Sequence, residues 1–569
     1  MKIGANDISA VKIGATDVNK VYLGSNLVWE KVGATLLLDL YPNALVAYDL
    51  RKLSSTYTGN CIEVRRGSDN AIQDIGFVNE VLDTASLVTF AQGGECYVRT
   101  LYDQSGNGNN ATQTVLINQP KITDSLGAVI TKYGKPSIYW YGPANANASV
   151  LSFTQISPHT VFIAQQLDVQ GGAYQQWLLG GSNNDYVSSS SSNASTGRQY
   201  IGSVGNPASI RLGSNYMNGE LKEFVQNEPN FIQRDTEFNL ISMVHDSSAS
   251  RLPLASTIAQ RIGATLQSAL TGWRQSTIIY GTDQSANRVG IERNINSFYN
   301  MYWDGSQTGL LDDYPSAAAA YSLRALNSAY TGPLVRVRRS NNNEKDIFAR
   351  HDGSLDTTDL LDWVNDGFNT GDGFVAKWYD QSGQGNDAVQ ASASSQPQIV
   401  SSGSVVLENG KDAIEFDGNS HFFDATSVTT GNPKSIFISS KFASVSASEK
   451  VIFDSTTTNQ SILYKGTNNN IALGFGTFTF TSYTATTDYV LYSILHNGLN
   501  SNAFINSGQI LTNTNLGTNA FNGLRIGAVR GTANLFYNGI ISEFIVYGSD
   551  QSANRVAIET NINNHYTIY

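Results

Sequence analysis

Apolar and polar positions alternate in short stretches along most of the chain. SIYWY at 137–141, TVFIA at 160–164, FNLISM at 238–243, AIEF at 413–416, SIFIS at 435–439, ILY at 462–464, YVLYSI at 489–494 and IISEFIVY at 540–547 each read as a strand between Gly-, Asn- and Ser-rich loops. Many short strands separated by turn signals predict a β-sandwich. Three kinds of segment depart from that alternation. In ALVAYDLRKLSSTYTG at 44–59, Leu45, Tyr48, Leu50 and Leu53 fall near helical spacing ahead of Gly59, so a helix-like run is expected there. Asp83 stands before Thr84 and Ala85 as a helix N-cap residue would. The stripes Ile291, Ile295, Tyr299 and Ile558, Ile562, Tyr566 predict a helix packed on the sandwich at two places.

The pattern occurs twice. LYDQSGNGNNATQ at 101–113 returns as WYDQSGQGNDAVQ at 378–390, and the run at 44–59 returns as AAAYSLRALNSAYTG at 318–332. IEVRR at 62–66 matches VRVRR at 335–339, VLDTASL at 81–87 matches SLDTTDL at 354–360, and DQSANRV recurs at 283–289 and 550–556. Such self-similarity means one supersecondary plan used in tandem, with small drifts in spacing as loop insertions. The 569 residues therefore divide into a leader at 1–35 and two domains at 36–304 and 305–569. The leader has a period of ten, KIGANDI at 2–8, KIGATDV at 12–18 and YLGSNLV at 22–28, the pattern of short hairpins too small to be stable without something to dock on.

Composition narrows the function classes. A formal net charge of −11 opposes a nucleic-acid surface. No apolar run reaches membrane-spanning length, and residues 1–7 show no signal-peptide core. Cys61 and Cys96 are the two cysteines; both occur in the first half, and two partly buried thiols are expected rather than a bridge. The six histidines have no metal-ligand spacing, so no metal site is expected among them. In the repeated turn, Asp103, Asn107 and Asn109, with Asp380 and Asn386 in the second copy, offer oxygens to a calcium ion. Side-chain bonds bracing a glycine turn are the favoured reading, because no further acids cluster nearby. Trp140 and Tyr141, and His421 and Phe422, sit in matching places after a strand. Exposed, they would stack on sugar rings; buried, they are core.

The leader, VYLGSNLVW at 21–29 above all, resembles short N-terminal segments of bacteriophage tail and fibre proteins. The order AYxLRxLxSxYTG, VRR, LDT, YDQSGxGNxAxQ and QP(K/Q)I, at 119–122 and 396–399, resembles the catalytic domain of arabinofuranosidase B, glycoside hydrolase family 54. That resemblance implies an all-β chain of two tandem concanavalin A-like, laminin G-like sandwiches with a few short helices after the hairpin leader. It also implies a retaining mechanism with two carboxylates. The family nucleophile, a Glu in a Tyr-Gly-Asn-x-Glu setting after a cysteine pair, corresponds to LLGGSNND at 178–185, with Asn184 or Asp185 there, and to IFDSTTTN at 452–459. The family acid corresponds to RIGA at 261–264 and to RIGAVRGT at 525–532, which places Arg530 or Gly531. With those positions changed, the balance is against hydrolysis.

These readings combine into an expected virion fibre, spike or decoration protein on the particle surface. It would be tethered to other virion proteins through 1–35, meet host cell-surface polysaccharide through lectin-like domains, and assemble as a homo-oligomer, a trimer, without nucleic acid or membrane insertion. The alternatives are an arabinofuranosidase-like depolymerase with relocated carboxylates at Asp185, Glu220 or Glu223, and a purely structural virion component.

Overall fold

A computed structural model describes residues 36–569 apart from 142–148, 168–175, 181–185, 190–212, 222–237, 247, 249–254, 259–271, 366–369, 446–448, 457–461 and 531–534, together with six short strands between residues 2 and 30. Those six pair as antiparallel hairpins, Lys2–Ile3 with Asn6–Asp7, Val11–Ile13 with Thr16–Val18, and Lys20–Leu23 with Asn26–Glu30. The chain is mostly β and sandwich-like, and its contacts divide it into two compact units, Met1–Tyr299 and Asn300–Tyr569.

In the first unit an eight-stranded antiparallel sheet faces a seven-stranded one across a single apolar core. The centre of the second sheet is Gly272–Tyr280, flanked by Thr160–Leu167 and Ala44–Asp49. The second unit repeats this order. Asn538–Tyr547 is flanked by Lys434–Phe442 and Ala317–Ser322, and further pairings link its strands into one closed antiparallel network. The expected closing helices are present as Arg288–Tyr299 and Arg555–Tyr566, each burying the stripe read from sequence. Asp83 caps the helix Thr84–Ala91 by accepting from the Ser86 backbone N–H at 3.0 Å. Cys61 and Cys96 are buried, unbridged thiols.

One expectation fails. The helix-like run at 44–59 opens as the strand Ala44–Asp49, and its counterpart as Ala317–Ser322. Both strands are buried almost throughout; in the second unit one face meets the main core and the other clusters with the closing helix. Alternation vanishes when both faces are apolar, and the leftover spacing mimics a helix.

The repeated turn locks these strands. Asp103 Oδ1 accepts from the N–H of Ala47 at 2.9 Å and of Ser105 at 3.0 Å, while Oδ2 accepts from the Ser105 hydroxyl at 2.7 Å and the Asn109 N–H at 3.0 Å. Asp380 repeats all four bonds with Ala320, Ser382 and Asn386. The glycines at 106 and 108 adopt φ of 89° and 68°, as the tight turn requires. Gln104 and Gln381 reach across the strand to the backbone of residues 49–53 and 322–326. Both oxygens of each Asp are thus engaged as braces.

Beneath each turn lies a buried clasp of arginine, carboxylate and tyrosine. In the first unit Asp49 accepts from the Arg51 N–H at 2.8 Å and from the Tyr299 hydroxyl, and Arg51 reaches the Asn294 carbonyl and side chain on the closing helix. In the second unit the acid sits on the partner strand. Glu543 takes Arg324 Nε at 2.9 Å, Nη2 at 3.1 Å and the Ser322 hydroxyl at 2.7 Å, and Arg324 continues to Asn561. Asp49 pairs in register with Ser276, and Ser322 with Glu543, so the two units exchange acid and serine across the same strand pair. Removing one partner strands a buried charge, so Glu543→Ala should cost about 3–5 kcal/mol in urea denaturation of the second unit's transition.

His245 is buried, with Nδ1 on the Pro158 carbonyl at 3.0 Å, and burial lowers its pKa to about 4. A histidine kept neutral in the fold contributes stability above its unfolded pKa near 6.5 and loses it as pH falls toward 4, about 3 kcal/mol in all. The melting temperature should therefore fall between pH 6.5 and 4, and His245→Asn should flatten that part of the profile.

Candidate active site

Strands Phe423–Thr430, Phe521–Ile526 and Lys450–Ser455 lie side by side, and their apolar residues Phe423, Ala425, Leu524, Ile526 and Phe453 point into the core. The intervening positions project from the opposite face. There Asp424, Arg525 and Asp454 fall in register, with Arg525 paired to an acid on either side. Arg525 leans to Asp424 in a two-pronged ion pair, 2.8 Å from Nε and 2.7 Å from Nη2, and its guanidinium lies 4.4 Å from the Phe422 ring centroid. Asp454 is covered: Arg530 donates from Nη1 at 2.9 Å and from its backbone N–H at 3.2 Å to Oδ2, and the Ser455 N–H donates to Oδ1 at 2.8 Å. The Asp454 side chain is 0% exposed beneath an Arg530 side chain at 26%. Burial raises the Asp454 pKa despite the opposing hydrogen bonds and charge of Arg530. A carboxyl whose pKa burial raises, on the same sheet face as a second carboxylate, is suited to acid-assisted bond cleavage.

The first unit has the same three-strand register without the acids. Ser152 pairs with Thr257 and Thr257 with Gly180, where the second unit has Asp424, Arg525 and Asp454. The site chemistry is therefore confined, among the described residues, to the second copy of the face.

Of the residues singled out from sequence, Phe422 lies at this site, its ring 6.4 Å from that of Phe536. His421 is half-buried beside Asp417, 3.7 Å from Oδ2, and burial lowers its pKa. Trp140 is 0% exposed within the first core, which removes it as a sugar platform, whereas Tyr141 is 53% exposed. Glu220 is exposed in the edge strand Glu220–Leu221. Asp185 and Glu223 lie outside the described residues, as do 261–264 and the Asn459 position. Asp103, Asn107, Asn109, Asp380 and Asn386 belong to the bracing turns. No group of three His, Cys, Asp or Glu side chains comes together as a metal site among the described residues.

Sequence reasoning missed Asp424, Asp454 and Arg525. Their signal was available: each is a lone charge in a strand end otherwise apolar or hydroxylic, FDAT, VIFDS and NGLRI. Asp454 was inside the stretch compared with the family nucleophile, five residues ahead of the position that drew attention.

Comparison with known proteins shows the family of the chain. The family model described as "Alpha-L-arabinofuranosidase B, catalytic" matches residues 43–131 and 311–514, just over half of the chain. The chain belongs to the arabinofuranosidase B catalytic-domain family. A probable alpha-L-arabinofuranosidase B of Aspergillus flavus is 36% identical over 95 residues, 15% of this chain and 19% of that protein. An alpha-L-arabinofuranosidase of Hypocrea jecorina is 42% identical over 64 residues, 11% of this chain and 13% of that protein. The chain thus spans about a fifth or less of the length of these curated relatives. A GH54 arabinofuranosidase soaked with a cyclic sulfate inhibitor superposes with a TM-score of 0.36 at 16% identity, over 45% of this chain and 65% of that one. An arabinofuranosidase complexed with arabinofuranosyl-alpha-1,2-xylobiose gives 0.35 at 18%, over 45% and 64%.

This membership corrects four expectations. The virion fibre, spike or decoration role, with its tail-fibre and host-attachment terms and its particle-surface location, rested on the hairpin leader's likeness over about thirty residues, the lack of a signal-peptide core, and a glycan-handling fold with changed catalytic positions. The family match instead covers parts of both sandwich units and is to arabinofuranosidases. The balance against catalysis rested on single substituted positions, whereas the family is one of glycoside hydrolases and the second unit holds two carboxylates on one face.

Proposed function

We propose that this chain is a glycoside hydrolase of the α-L-arabinofuranosidase type and that its second unit carries the reacting site. Asp454 is the observation behind this reading: a carboxylate fully covered by Arg530, with its pKa raised by burial, on the face where Asp424 also projects. Asp454 serves as the acid that protonates the departing glycosidic oxygen, and Asp424 supplies the second carboxylate that such chemistry requires. The two stand one strand either side of Arg525, so their backbones are roughly 10 Å apart, with the Arg525 side chain held on Asp424 between them. Arg530 must swing off Asp454 when a sugar enters. That movement takes a positive charge away from the carboxyl and strengthens its hold on the proton. Phe422 and Phe536 flank the Arg525 side of the face and offer an apolar rim.

Both units share, in this reading, the concanavalin A-like, laminin G-like sandwich that the repeated motifs suggest. The duplicated element order, the two bracing turns and the two clasps support it.

Release of 4-nitrophenol from 4-nitrophenyl α-L-arabinofuranoside by the full chain tests the reading. Asp454→Asn should lower kcat at least about 100-fold with an unchanged melting profile. Loss confined to Asp185→Asn or Glu223→Gln, with Asp454→Asn fully active, would move the site to the first unit.

A further inference from the structure

The first unit contains a cleft of about 560 Å³ between the start of the strand Ala44–Asp49, the loop at 54–59 and the tip of the first bracing turn. Its floor is apolar, from Leu38, Pro42 and Leu45, and its wall carries Tyr57, Thr58, Asn43 and Asn107. No residue that lines it is charged. The nearest acids are already engaged. Asp39 Oδ1 accepts from the Ser54 hydroxyl at 3.1 Å and the Ser55 N–H at 3.0 Å, and Asp103 is saturated by its turn.

The wall is preorganised. Asn107 donates from Nδ2 to the carbonyls of Ala44 at 2.9 Å and Leu45 at 3.0 Å, which fixes the amide and leaves its Oδ1 turned away from those bonds. Tyr57 is held by its hydroxyl on the Asn60 carbonyl at 2.8 Å and packs edge-on against Phe77, so its ring has a set orientation. Asn43 is held at φ 69°, and among the described residues neither its amide nor the Thr58 hydroxyl makes a hydrogen bond within the protein. A fixed aromatic ring, an apolar floor, and neutral amide and hydroxyl groups with unspent bonding capacity match a ligand that is uncharged, rich in hydroxyls and apolar on one face. An anion would find no cation here, and a cation no available carboxylate.

We infer that this cleft is a non-catalytic sugar-binding site, by which the first unit holds neutral polysaccharide. The inference deepens the proposed function and rests on it for the identity of the sugar, an arabinofuranosyl-bearing chain. It also gives a role to a unit whose equivalent of the acidic face carries Ser152, Thr257 and Gly180.

Affinity electrophoresis of the full chain through gels containing arabinan, arabinoxylan or polygalacturonate tests the inference. Asn43→Gly deletes the amide while suiting the left-handed backbone, and Thr58→Arg fills the cleft from an exposed position without touching the core. Each should weaken retention by the neutral polymers roughly tenfold, the scale of one or two lost hydrogen bonds. Each should also raise KM for arabinan while leaving turnover of 4-nitrophenyl α-L-arabinofuranoside unchanged. Retention of both variants equal to that of the unaltered chain would overturn the inference, and so would binding to polygalacturonate alone. Binding is read independently of hydrolysis: a chain that is retained through the cleft yet cleaves nothing sinks the proposed function and leaves the cleft standing.

Discussion

A carboxylate taken out of water must recover inside the protein the hydrogen bonds and charge balance it has lost, and this constraint shapes both units. Asp49 meets it with the Arg51 backbone N–H and the Tyr299 hydroxyl beside the Arg51 guanidinium, and Glu543 with Arg324, the Ser322 hydroxyl and the Tyr566 hydroxyl. Each clasp joins the first strand, the central strand and the last helix of its unit. The acid has changed strands between the copies while arginine, tyrosine and the helix asparagine have stayed in place. Where the negative charge sits in sequence matters less than that it reaches the same buried point.

Asp454 is under the same constraint on the sheet face of the second unit. Arg530 donates to it from side chain and backbone and Ser455 from its backbone N–H, the covering arginine is partly in solvent, and burial wins over the attraction of Arg530 in the direction of its pKa. The clasps tie their acids to strand and closing helix inside each unit, whereas Asp454 lies under a partly exposed arginine on the face that also bears a second carboxylate. The second unit's face bears two carboxylates, and the first unit, with neutral side chains in the corresponding register, holds an uncharged cleft.

Much of the fold was legible because the signals were local. The DQSGxGN turns announce their positive-φ glycines, Asp83 announces a cap, and the Ile-Ile-Tyr stripes announce the closing helices. The strand Ala44–Asp49 was not legible, since both its faces are buried and period two leaves no trace. Nor was the pairing of Asp424 with Arg525 and of Arg525 with Asp454: residues about one hundred and about seventy positions apart, respectively, meet only through strand register, which no local pattern encodes. Trp140 shows the converse, an aromatic residue whose motif context suits a ligand and whose register places it in the core.

The reading of the second unit stands on the protonation of one side chain. A carbon-13 NMR titration of the Asp454 carboxyl carbon in the full chain, assigned by its loss in Asp454→Asn, measures this directly. The account expects a midpoint displaced above the ordinary Asp value of 3.8. A midpoint at or below that value would show that Arg530 governs the carboxyl and would contradict its role as proton donor.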